Sequence, residues 1–524
     1  MNVNRRRIFK IASRTFGCAL VLVGLSGCAT NPVTGKSELS LISEQSELEI
    51  GRKQYEPSRQ MQGGDYKLEP ELTRYVQQVG QRLAAVSDRK LPYEFAVLND
   101  STPNAWALPG GKIAVNRGLL LELNSEAELA AVLGHEIVHA AARHGAKGIE
   151  RGVVLQGVLM AAGVAARDSD YSQLAVGAAA VGANLINQGY SRDAELEADR
   201  YGMVYMARAG YDPQAAVGLQ ETFVRLSKDR KENWLSGLFA SHPPSAERVE
   251  KNRQRARELG QGGELGVERY QQMVGVLKKT APAYEAYTEG RAALQKKQSD
   301  KALMLADRAI GIEPREALFY GLKGDALAQQ GADTKALTAY DKAVALDDGF
   351  FRHFLMRGAL KAELGDRSGA RRDLSRSVEL LPTADAHYLL GGLALREGDQ
   401  PKAIAHYQQA SGASSEQGKA AATALVRLDL SAHPGRYIKS RLGIDRAGVV
   451  LIHLENPTTV TARDIRVQLG ELGAGGRVSV RAEYRLPGTL GAGQAISLQT
   501  DIRLADSRQL NRWDSRVVGA AVVE

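Results

Sequence analysis

The chain has 524 residues, too many for one hydrophobic core, so we expect several domains. A hydrophobic content of 44% and a charged content of 24% are ordinary for folded protein. Five of the basic residues behind the net charge of +8 lie in the first 27 residues, and the small remaining charge gives no reason to expect a nucleic-acid partner.

The N-terminus has the pattern of a secretory signal. Basic residues are followed by an apolar stretch, Thr15–Leu25, and then by the tetrapeptide Leu-Ser-Gly-Cys, which ends at Cys28. This tetrapeptide resembles a bacterial lipobox, which predicts that residues 1–27 are removed and Cys28 is acylated; an ordinary signal peptide with a chance cysteine is the alternative. The next residue is Ala29 rather than Asp, which by the sorting rule of such lipoproteins favours the outer membrane. We therefore expect a lipid anchor on the periplasmic face of the outer membrane, after Sec or twin-arginine export.

The first part of the mature chain is predicted to be a tether followed by a globular unit. Residues 28–60 form a polar tether with a helical stretch, and residues 61–260 form the first globular unit. That unit contains two short strand-like segments, Tyr93–Leu98 and Lys112–Val115, within helical periodicity. A stretch rich in turn residues, Asn104–Gly111, lies between them and is predicted to be a loop.

From about residue 283 to residue 415 the sequence repeats with a period of 34 residues. Glycine and alanine keep one register through four units, at Gly290, Gly324, Gly358 and Gly391 and at Ala302, Ala336, Ala370 and Ala403. This period is typical of tetratricopeptide repeats, in which small residues lie where the paired helices touch. We therefore predict an α-solenoid over residues 268–430.

Beyond the repeats the pattern changes to short runs of alternating polar and apolar residues. Val449–Leu454 and Ile465–Leu469 are two of these runs, and Gly-rich turns separate them from the next. This alternation predicts a small β-sandwich over residues 437–524.

A predicted helix carries the sequence His-Glu-Ile-Val-His, from His135 to His139. Ser125 and Glu128 form a capping box that begins this helix. Because His135 and His139 are four residues apart, they lie on one face, where two imidazoles can share a zinc ion. Glu136 lies one position along, so its carboxylate can reach an attacking water as a general base without becoming a ligand.

A third zinc ligand has to come from another part of the chain. A metzincin would have Gly at position 142 and His at position 145, but this chain has Ala142 and Gly145, so that class is excluded. On a second predicted helix, Glu195 and Asp199 are four residues apart and share a face. Glu195 can complete a His₂Glu site of the thermolysin kind, with one zinc ion per chain and a fourth position left for water. Asp199 can accept the ring N–H of a ligand histidine and fix its tautomer.

Four nearby side chains receive simpler interpretations. His144, in the expected last turn of the first helix and before a C-cap glycine, is predicted to be a helix-terminal cation. Glu197 lies on the side of its helix opposite Glu195 and is predicted to be a solvated surface acid. Tyr190 is a candidate for hydrogen bonding in the transition state. Trp106 is predicted to line a substrate pocket or to pack in the core.

These motifs resemble those of the HtpX/CAAX-prenyl-endopeptidase gluzincins, and specifically of their periplasmic tetratricopeptide-repeat branch, the β-barrel assembly-enhancing proteases. The shared signatures are the HEIVH motif, Asn104–Gly111, Ser191–Asp199 and Ser241–Pro243. The resemblance covers about residues 30–260, and the repeats extend it to about residue 420.

The resemblance implies a zincin-like α+β peptidase domain in which His135, His139 and Glu195 bind zinc and Glu136 acts as general base and acid. It also implies that a substrate peptide pairs with an edge strand around Lys112–Val115. The expected fold class is therefore multidomain and mainly α, with this peptidase domain, the α-solenoid of repeats and the C-terminal small β-sandwich.

His242 lies well after the second zinc helix, in a Ser-His-Pro-Pro segment. Two consecutive prolines impose a stiff, extended backbone that can hold a side chain in a fixed place. One interpretation is that His242 anchors this loop to the peptidase domain. The other, which the resemblance to repeat-bearing relatives supports, is that its imidazole takes the fourth zinc position as a regulatory ligand and keeps the enzyme latent.

Two classes of function remain open on the sequence alone. In the first, the protein is a zinc-dependent endopeptidase of the bacterial envelope that degrades misfolded or stalled outer-membrane proteins, and its repeats bind partners. In the second, it is mainly a periplasmic chaperone or scaffold for outer-membrane protein assembly, with a latent protease site. The intact ligand set and Glu136 favour the first. Expected partners are unfolded or misassembled envelope proteins, the outer-membrane β-barrel assembly machinery and, through the lipid anchor, the membrane.

Overall fold

The computed structural model describes residues 28–161, 189–229, 241–260, 262–473 and 478–523. The predicted signal peptide lies outside these residues. Within the described ranges, no helix is both long enough and apolar enough to cross a membrane. The chain divides into two compact units, which meet in sequence between Leu360 and Lys361.

The first unit contains a three-stranded sheet formed by β3 (Glu94–Leu98), β4 (Ala105–Leu108) and β5 (Lys112–Asn116). The strand order is β3-β5-β4, with β5 parallel to β3 and antiparallel to β4. Because β5 is paired on both sides, the expectation that a substrate pairs with Lys112–Val115 is wrong. The edge strand next to it is β4.

Strand β4 lies in the stretch that the turn residues indicated as a loop. The chain reverses direction at Gly110 and Gly111, whose φ angles of +78° and +81° suit glycine and confine the turn to a few residues. Trp106, in the middle of β4, is 3% exposed and packs edge-on against Tyr55. Of the two interpretations offered for this tryptophan, the structure supports a core residue.

Helices form the rest of the peptidase region. In chain order, after a hairpin of β1 (Cys28–Thr30) and β2 (Ser37–Leu39), they are α1 (Glu44–Met61), α2 (Pro70–Ala84), α3 (Arg117–Leu120), α4 (Glu126–Ala141), α5 (His144–Ala161), α6 (Arg192–Arg208), α7 (Gln214–Asp229), α8 (Ala246–Leu259) and α9 (Val267–Met273). Ser125 caps α4 as predicted, since its hydroxyl accepts a hydrogen bond from the Glu128 N–H at 3.1 Å, but the Glu128 carboxylate accepts from the Asn124 N–H at 2.7 Å rather than from Ser125. Nearly every residue of α4 is buried, so its side chains are held by packing.

Helix α4 ends earlier than its sequence predicts. The expected end lay at His144, but α4 ends at Ala141 and α5 begins at His144. Between the helices, Arg143 adopts a φ of +61°, a left-handed conformation that is strained for a residue with a side chain. Its guanidinium donates hydrogen bonds to the Glu47 carboxylate at 2.9 Å and to the Ile42 carbonyl at 2.5 Å, and these contacts hold the turn.

The predicted tetratricopeptide repeats are confirmed as a series of helix pairs. They comprise α10 (Gly275–Gln295), α11 (Ser299–Ile312), α12 (Ala317–Gln329), α13 (Asp333–Leu346), α14 (Phe351–Glu363), α15 (Arg367–Leu380), α16 (Ala384–Arg396), α17 (Gln400–Ala410) and α18 (Glu416–Asp429). Three of the recurring glycines lie where a helix meets a large side chain: a Cβ atom at Gly290 would be 2.7 Å from Leu322, one at Gly324 would be 2.4 Å from Tyr340, and one at Gly391 would be 2.7 Å from Tyr407. These distances are below van der Waals contact, so close packing explains the glycine period.

The first repeats pack directly on the peptidase helices within the first unit. Glu316 is 5% exposed and accepts hydrogen bonds from the Tyr284 hydroxyl and, at 3.1 Å, from the Asn99 amide. Arg117 donates to the same Asn99 side chain at 2.8 Å, and its guanidinium lies 3.3 Å from the centre of the Tyr284 ring. One hydrophobic core continues from the peptidase helices to Phe350. The first repeats are therefore part of the peptidase body.

The second unit ends in the predicted small β-sandwich. Its elements are α19 (Pro434–Tyr437), β6 (Lys439–Ile444), β7 (Val449–Glu455), β8 (Ala462–Leu472), β9 (Val478–Arg485), β10 (Thr489–Leu490), β11 (Ala495–Arg503), a 3₁₀ helix (Ser507–Arg512) and β12 (Trp513–Val522). β8 pairs with β9, β10 and β12, and β7 pairs with β6 and β11, all antiparallel. Alternate residues of β7 and β8, such as Ile452 and Val467, share one core.

A buried histidine on α14 makes the stability of the repeats dependent on pH. His353 is 3% exposed, and its Nε2 has no hydrogen-bond partner among the described residues. Burial lowers the pKa of His353 from 6.5 to about 4; Arg352 and Lys67 act in the same direction, and Asp347 opposes them. Below pH 6.5 the unfolded chain therefore binds a proton that the folded chain does not, so stability is lost as the pH falls.

We expect the free energy of unfolding to fall by about 2 kcal/mol between pH 6.5 and pH 5 through this histidine. His353→Phe fills similar space without titrating and should remove that part of the pH dependence in urea denaturation. His453→Phe, at an exposed position, is the matched control and should keep it. Equal pH dependence in wild type and His353→Phe would contradict the assignment.

Candidate metal centre

Helices α4 and α6 and the segment before α8 bring four metal-binding side chains together. These are His135, His139, Glu195 and His242, and one ligand atom of each lies within 4.8 Å of the others. His139 is 1% exposed, Glu195 3% and His242 5%. The three predicted zinc ligands and the predicted regulatory histidine thus converge on one small, buried space.

The close approach of α4 and α6 depends on two glycines. A Cβ atom at Gly134 would lie 3.1 Å from the Gly202 carbonyl oxygen, and one at Gly202 would lie 3.0 Å from the backbone nitrogen of His135. A larger residue at either position would force the helices apart. Glu195 lies about two turns before Gly202, so the crossing at these glycines places its carboxylate beside the histidines.

The distances within the cluster are those of groups that share a small cation. His139 Nε2 lies 3.0 Å from His135 Nε2 and 3.3 Å from Glu195 Oε1. His242 Nδ1 lies 2.9 Å from the same carboxylate oxygen and 3.3 Å from His135 Nε2. Three imidazole nitrogens and one carboxylate oxygen therefore face one another, and a proton or a metal ion is needed between them.

The charges of the cluster also favour a cation. Burial opposes the charged form of His135, but Glu195 and Asp199 outweigh it and raise the pKa of His135 to about 10. Burial lowers the pKa of His139 well below its ordinary range. Burial also favours the neutral form of Glu195, yet His242 and His135 hold the pKa of that carboxyl well below its usual value. The cluster thus combines a charged carboxylate with a proton-poor imidazole.

The residues of this centre fit a zinc ion. Two histidines and a glutamate are the ligand set of a catalytic zinc site, with a fourth position available. Two buried polar atoms at the centre, Glu136 Oε2 and His242 Nε2, have no hydrogen-bond partner within the part of the chain that the structure describes. Such orphaned atoms are costly in a protein interior, and a bound ion with its surroundings offers them partners.

Asp199 orients the first histidine, as its spacing predicts. His135 Nδ1 lies 2.9 Å from Asp199 Oδ1, so the ring N–H can point at the carboxylate while Nε2 faces the cluster. Arg248 donates two hydrogen bonds of 2.7 Å to Asp199 and forms an ion pair of 2.9 Å with Glu195. Sequence reasoning missed Arg248, whose only signal was its place four residues after the Pro-Pro pair.

Two simpler predictions about neighbouring side chains are wrong. His144 is 4% exposed and does not lie in the last turn of α4, because the turn at Arg143 directs it back to His139, with 2.8 Å between their Nδ1 atoms. Glu197 is not a fully solvated acid, since its side chain is 22% exposed and lies 3.3 Å from His144 Nε2. Both side chains belong to the surroundings of the metal centre.

Glu136 and Tyr190 border the cluster on its other sides. Glu136 is 2% exposed, and burial raises the pKa of its carboxyl. Its Oε1 lies 3.7 Å from His242 Nε2. The ring of Tyr190 stacks on His139 with 3.9 Å between centroids, and its hydroxyl lies 3.5 Å from the Ala107 carbonyl of β4. Burial also raises the pKa of Tyr190, so its hydroxyl stays protonated and can donate a hydrogen bond.

Comparison with known proteins shows which families the two regions of the chain are similar to. Residues 70–256 match Peptidase family M48, and residues 287–349 and 355–418 match the tetratricopeptide repeat. The metalloprotease YcaL of Escherichia coli (strain K12) is 34% identical over 191 residues, which cover 34% of this chain and 69% of that protein. The chain belongs to peptidase family M48.

Two further relatives of this M48 family member match it over a smaller share of their own length. A putative beta-barrel assembly-enhancing protease of Vibrio cholerae is 34% identical over 200 residues, which cover 36% of this chain and 40% of that protein. The mitochondrial metalloendopeptidase OMA1 of Schizosaccharomyces pombe is 38% identical over 185 residues, which cover 34% of this chain and 51% of that protein. The chain thus spans about half, or less, of the length of each of these two relatives. The matches confirm the family resemblance seen in the motifs.

We expect the purified protein to contain one zinc ion per chain. His135→Ala removes an imidazole from the centre and should abolish stoichiometric zinc, measured by elemental analysis after dialysis. His433→Ala, whose side chain is 55% exposed and far from the ligand set in sequence, is the control and should keep the metal. Full zinc retention in His135→Ala would overturn the ligand assignment.

Proposed function

We propose that this protein is a zinc-dependent endopeptidase of the bacterial envelope that degrades misfolded or stalled outer-membrane proteins. The observation that carries the proposal is the convergence of His135, His139 and Glu195 in one buried centre, with the Glu136 carboxylate beside it. Membership of peptidase family M48 supports the reaction class. The name of the Vibrio cholerae relative, a beta-barrel assembly-enhancing protease, supports the substrate class.

In the proposed mechanism, His135, His139 and Glu195 would hold the zinc ion, which would supply a Lewis acid for the peptide carbonyl. Glu136 accepts a proton from the attacking water, whose oxygen bonds to the carbonyl carbon. Glu136 then gives that proton to the amine nitrogen as the C–N bond breaks, so one water is consumed for each bond cleaved. Asp199, fixed by Arg248, keeps His135 oriented throughout.

The edge of β4 supports a way of holding the substrate main chain. The Asn116 N–H donates to the Asn104 carbonyl at 2.8 Å, and the alternation of an antiparallel pair then turns the peptide groups of Ala105 and Ala107 away from β5. Tyr190 supports a position of this edge beside the proposed ligand His139, since its hydroxyl lies 3.5 Å from the Ala107 carbonyl and its ring stacks on His139. We propose that an extended substrate pairs with this edge, as peptides do in β-strand addition.

The repeats support a second part of the proposal, which is the binding of partners. A groove on the first repeats is lined by Tyr287, Arg291, Asp325 and Arg352. Tyrosine and arginine are enriched in protein-binding surfaces, and stacked helix pairs present such grooves along their concave side. We propose that unfolded envelope proteins and the outer-membrane β-barrel assembly machinery bind here, while a lipid on Cys28 keeps the protein on the periplasmic face of the outer membrane.

The position of His242 supports regulation of the same site. A catalytic zinc keeps one position open, whereas four protein ligands make a closed, structural type of site. His242 Nδ1 lies within hydrogen-bond distance of both Glu195 and His135, so it competes for the position that water needs. We propose that His242 is a regulatory fourth ligand that keeps the enzyme latent. The same contact favours the second candidate function, a chaperone or scaffold with a latent protease site.

Glu136→Gln should lower cleavage of a chemically unfolded outer-membrane protein by at least about 100-fold, because it removes the general base. Zinc content should stay at that of wild type, since Glu136 is not a ligand. Glu49→Gln, with a side chain that is 52% exposed, is the matched control and should cleave normally. Cleavage by Glu136→Gln at the wild-type rate would contradict an enzymatic role and would favour the scaffold function.

His242→Ala should cleave the same unfolded protein faster than wild type, because the fourth position becomes free. Its zinc content should be unchanged, since His135, His139 and Glu195 remain. The measurement is the initial rate of proteolysis alongside elemental analysis of the same sample. A variant that keeps zinc but is as slow as wild type, or slower, would show that His242 is structural or catalytic rather than inhibitory.

A further inference from the structure

His139 has a second contact, on the ring nitrogen that faces away from the ligand cluster. His139 Nδ1 lies 2.8 Å from His144 Nδ1, and His144 Nε2 lies 3.3 Å from Glu197 Oε1. His144 is 4% exposed, so its ring has little access to water as an alternative partner. A buried imidazole thus connects a predicted metal ligand to a carboxylate.

His139, His144 and Glu197 form a row of hydrogen-bonding side chains, and only one arrangement of protons satisfies both contacts in it. His139 must present the lone pair of Nε2 to the metal, so its single proton lies on Nδ1 and is donated to His144. His144 then accepts at Nδ1 and carries its own proton on Nε2, which it donates to Glu197. The opposite tautomer of His144 would set two N–H groups against each other at 2.8 Å.

We propose that His144 and Glu197 are positioning residues that fix the tautomer and the ring orientation of His139 for zinc binding. This inference rests on the metal site of the proposed function and assigns two residues to it. His135 reaches its carboxylate, Asp199, directly, whereas His139 reaches Glu197 through a second imidazole. Both ligand histidines are thereby oriented by a negative charge, as zinc-bound histidines commonly are.

The turn at the end of α4 is what makes this row possible. In a continuous helix His144 would lie five residues from His139 and point about 140° away from it around the helix axis. The left-handed Arg143, with its φ of +61°, ends α4 and directs the His144 ring back to His139. The strained backbone conformation of Arg143 therefore positions the His144 side chain in the site.

The segment that follows Cys28 holds the other end of the row. The Asn31 amide donates a hydrogen bond of 3.3 Å to Glu197 Oε1, which is the same oxygen that faces His144. Nearby, Lys147 of α5 forms an ion pair of 2.6 Å with Glu38 of β2. The N-terminal hairpin therefore contacts both Glu197 and α5, the helix that begins at His144.

Three variants of His144 in the full-length protein separate this role from simple packing. His144→Asn places an amide oxygen where Nδ1 was and can still accept the proton of His139. His144→Gln places its amide where Nε2 was, out of reach of His139, and His144→Phe fills the space without any acceptor. The measurement is the zinc dissociation constant from competition with a chelator, and thermal melting of the metal-free proteins checks that each variant is folded.

We expect His144→Phe and His144→Gln to bind zinc about 10- to 100-fold more weakly than wild type, and His144→Asn to remain within about threefold. Glu197→Ala, at a partly exposed position, should weaken binding about 10-fold even if a His144 variant fails to fold. Wild-type affinity in His144→Phe and Glu197→Ala, or equal losses in His144→Asn and His144→Gln, would overturn the proposal. If the wild-type protein bound no zinc, the metal site itself would be refuted, whatever the proteolytic activity of the protein.

Discussion

The crossing of α4 and α6 at Gly134 and Gly202 is the contact on which the metal centre depends. With no side chains at that point, the two backbones approach so closely that a methyl group at either position would touch the other helix. The histidines of one helix and Glu195 of the other then share one buried space. Two histidines on one helix and Glu195 on the other are brought into a single site because two residues lack a Cβ atom.

Burying this site requires charges that balance one another. Glu136, Glu195 and Asp199 place three carboxyl groups within a few side chains of one another, and Arg248 is the basic side chain that binds two of them. Removing charged groups from water is costly unless each is paired and hydrogen-bonded. In the proposed site, a divalent cation held by Glu195 and the histidines would supply the remaining positive charge, so metal binding and the stability of the crossing would support each other.

The sequence predicted those parts of the structure that follow from regular spacing. Two histidines four apart, an acid pair four apart and glycines every 34 residues all reflect helix geometry, and each lies where its period placed it. The β4 strand was missed because its flanking proline and glycines indicate a loop, although they serve a tight turn. The role of His144 was missed because it depends on one left-handed residue, Arg143, and such a conformation is not encoded by periodicity. The packing of Glu316 on Asn99 joins residues 217 apart in the chain, a contact that no local pattern reveals.

We propose that His135, His139 and Glu195 hold one zinc ion and that His242 is its fourth ligand in the resting protein. X-ray absorption at the zinc edge of the purified full-length protein tests it most directly. For the wild-type protein we expect three imidazoles and one carboxylate oxygen around the metal, with zinc–nitrogen distances of about 2.0–2.1 Å. For His242→Ala we expect one imidazole fewer. A sulfur neighbour, or fewer than three imidazoles around the metal of the wild-type protein, would contradict it.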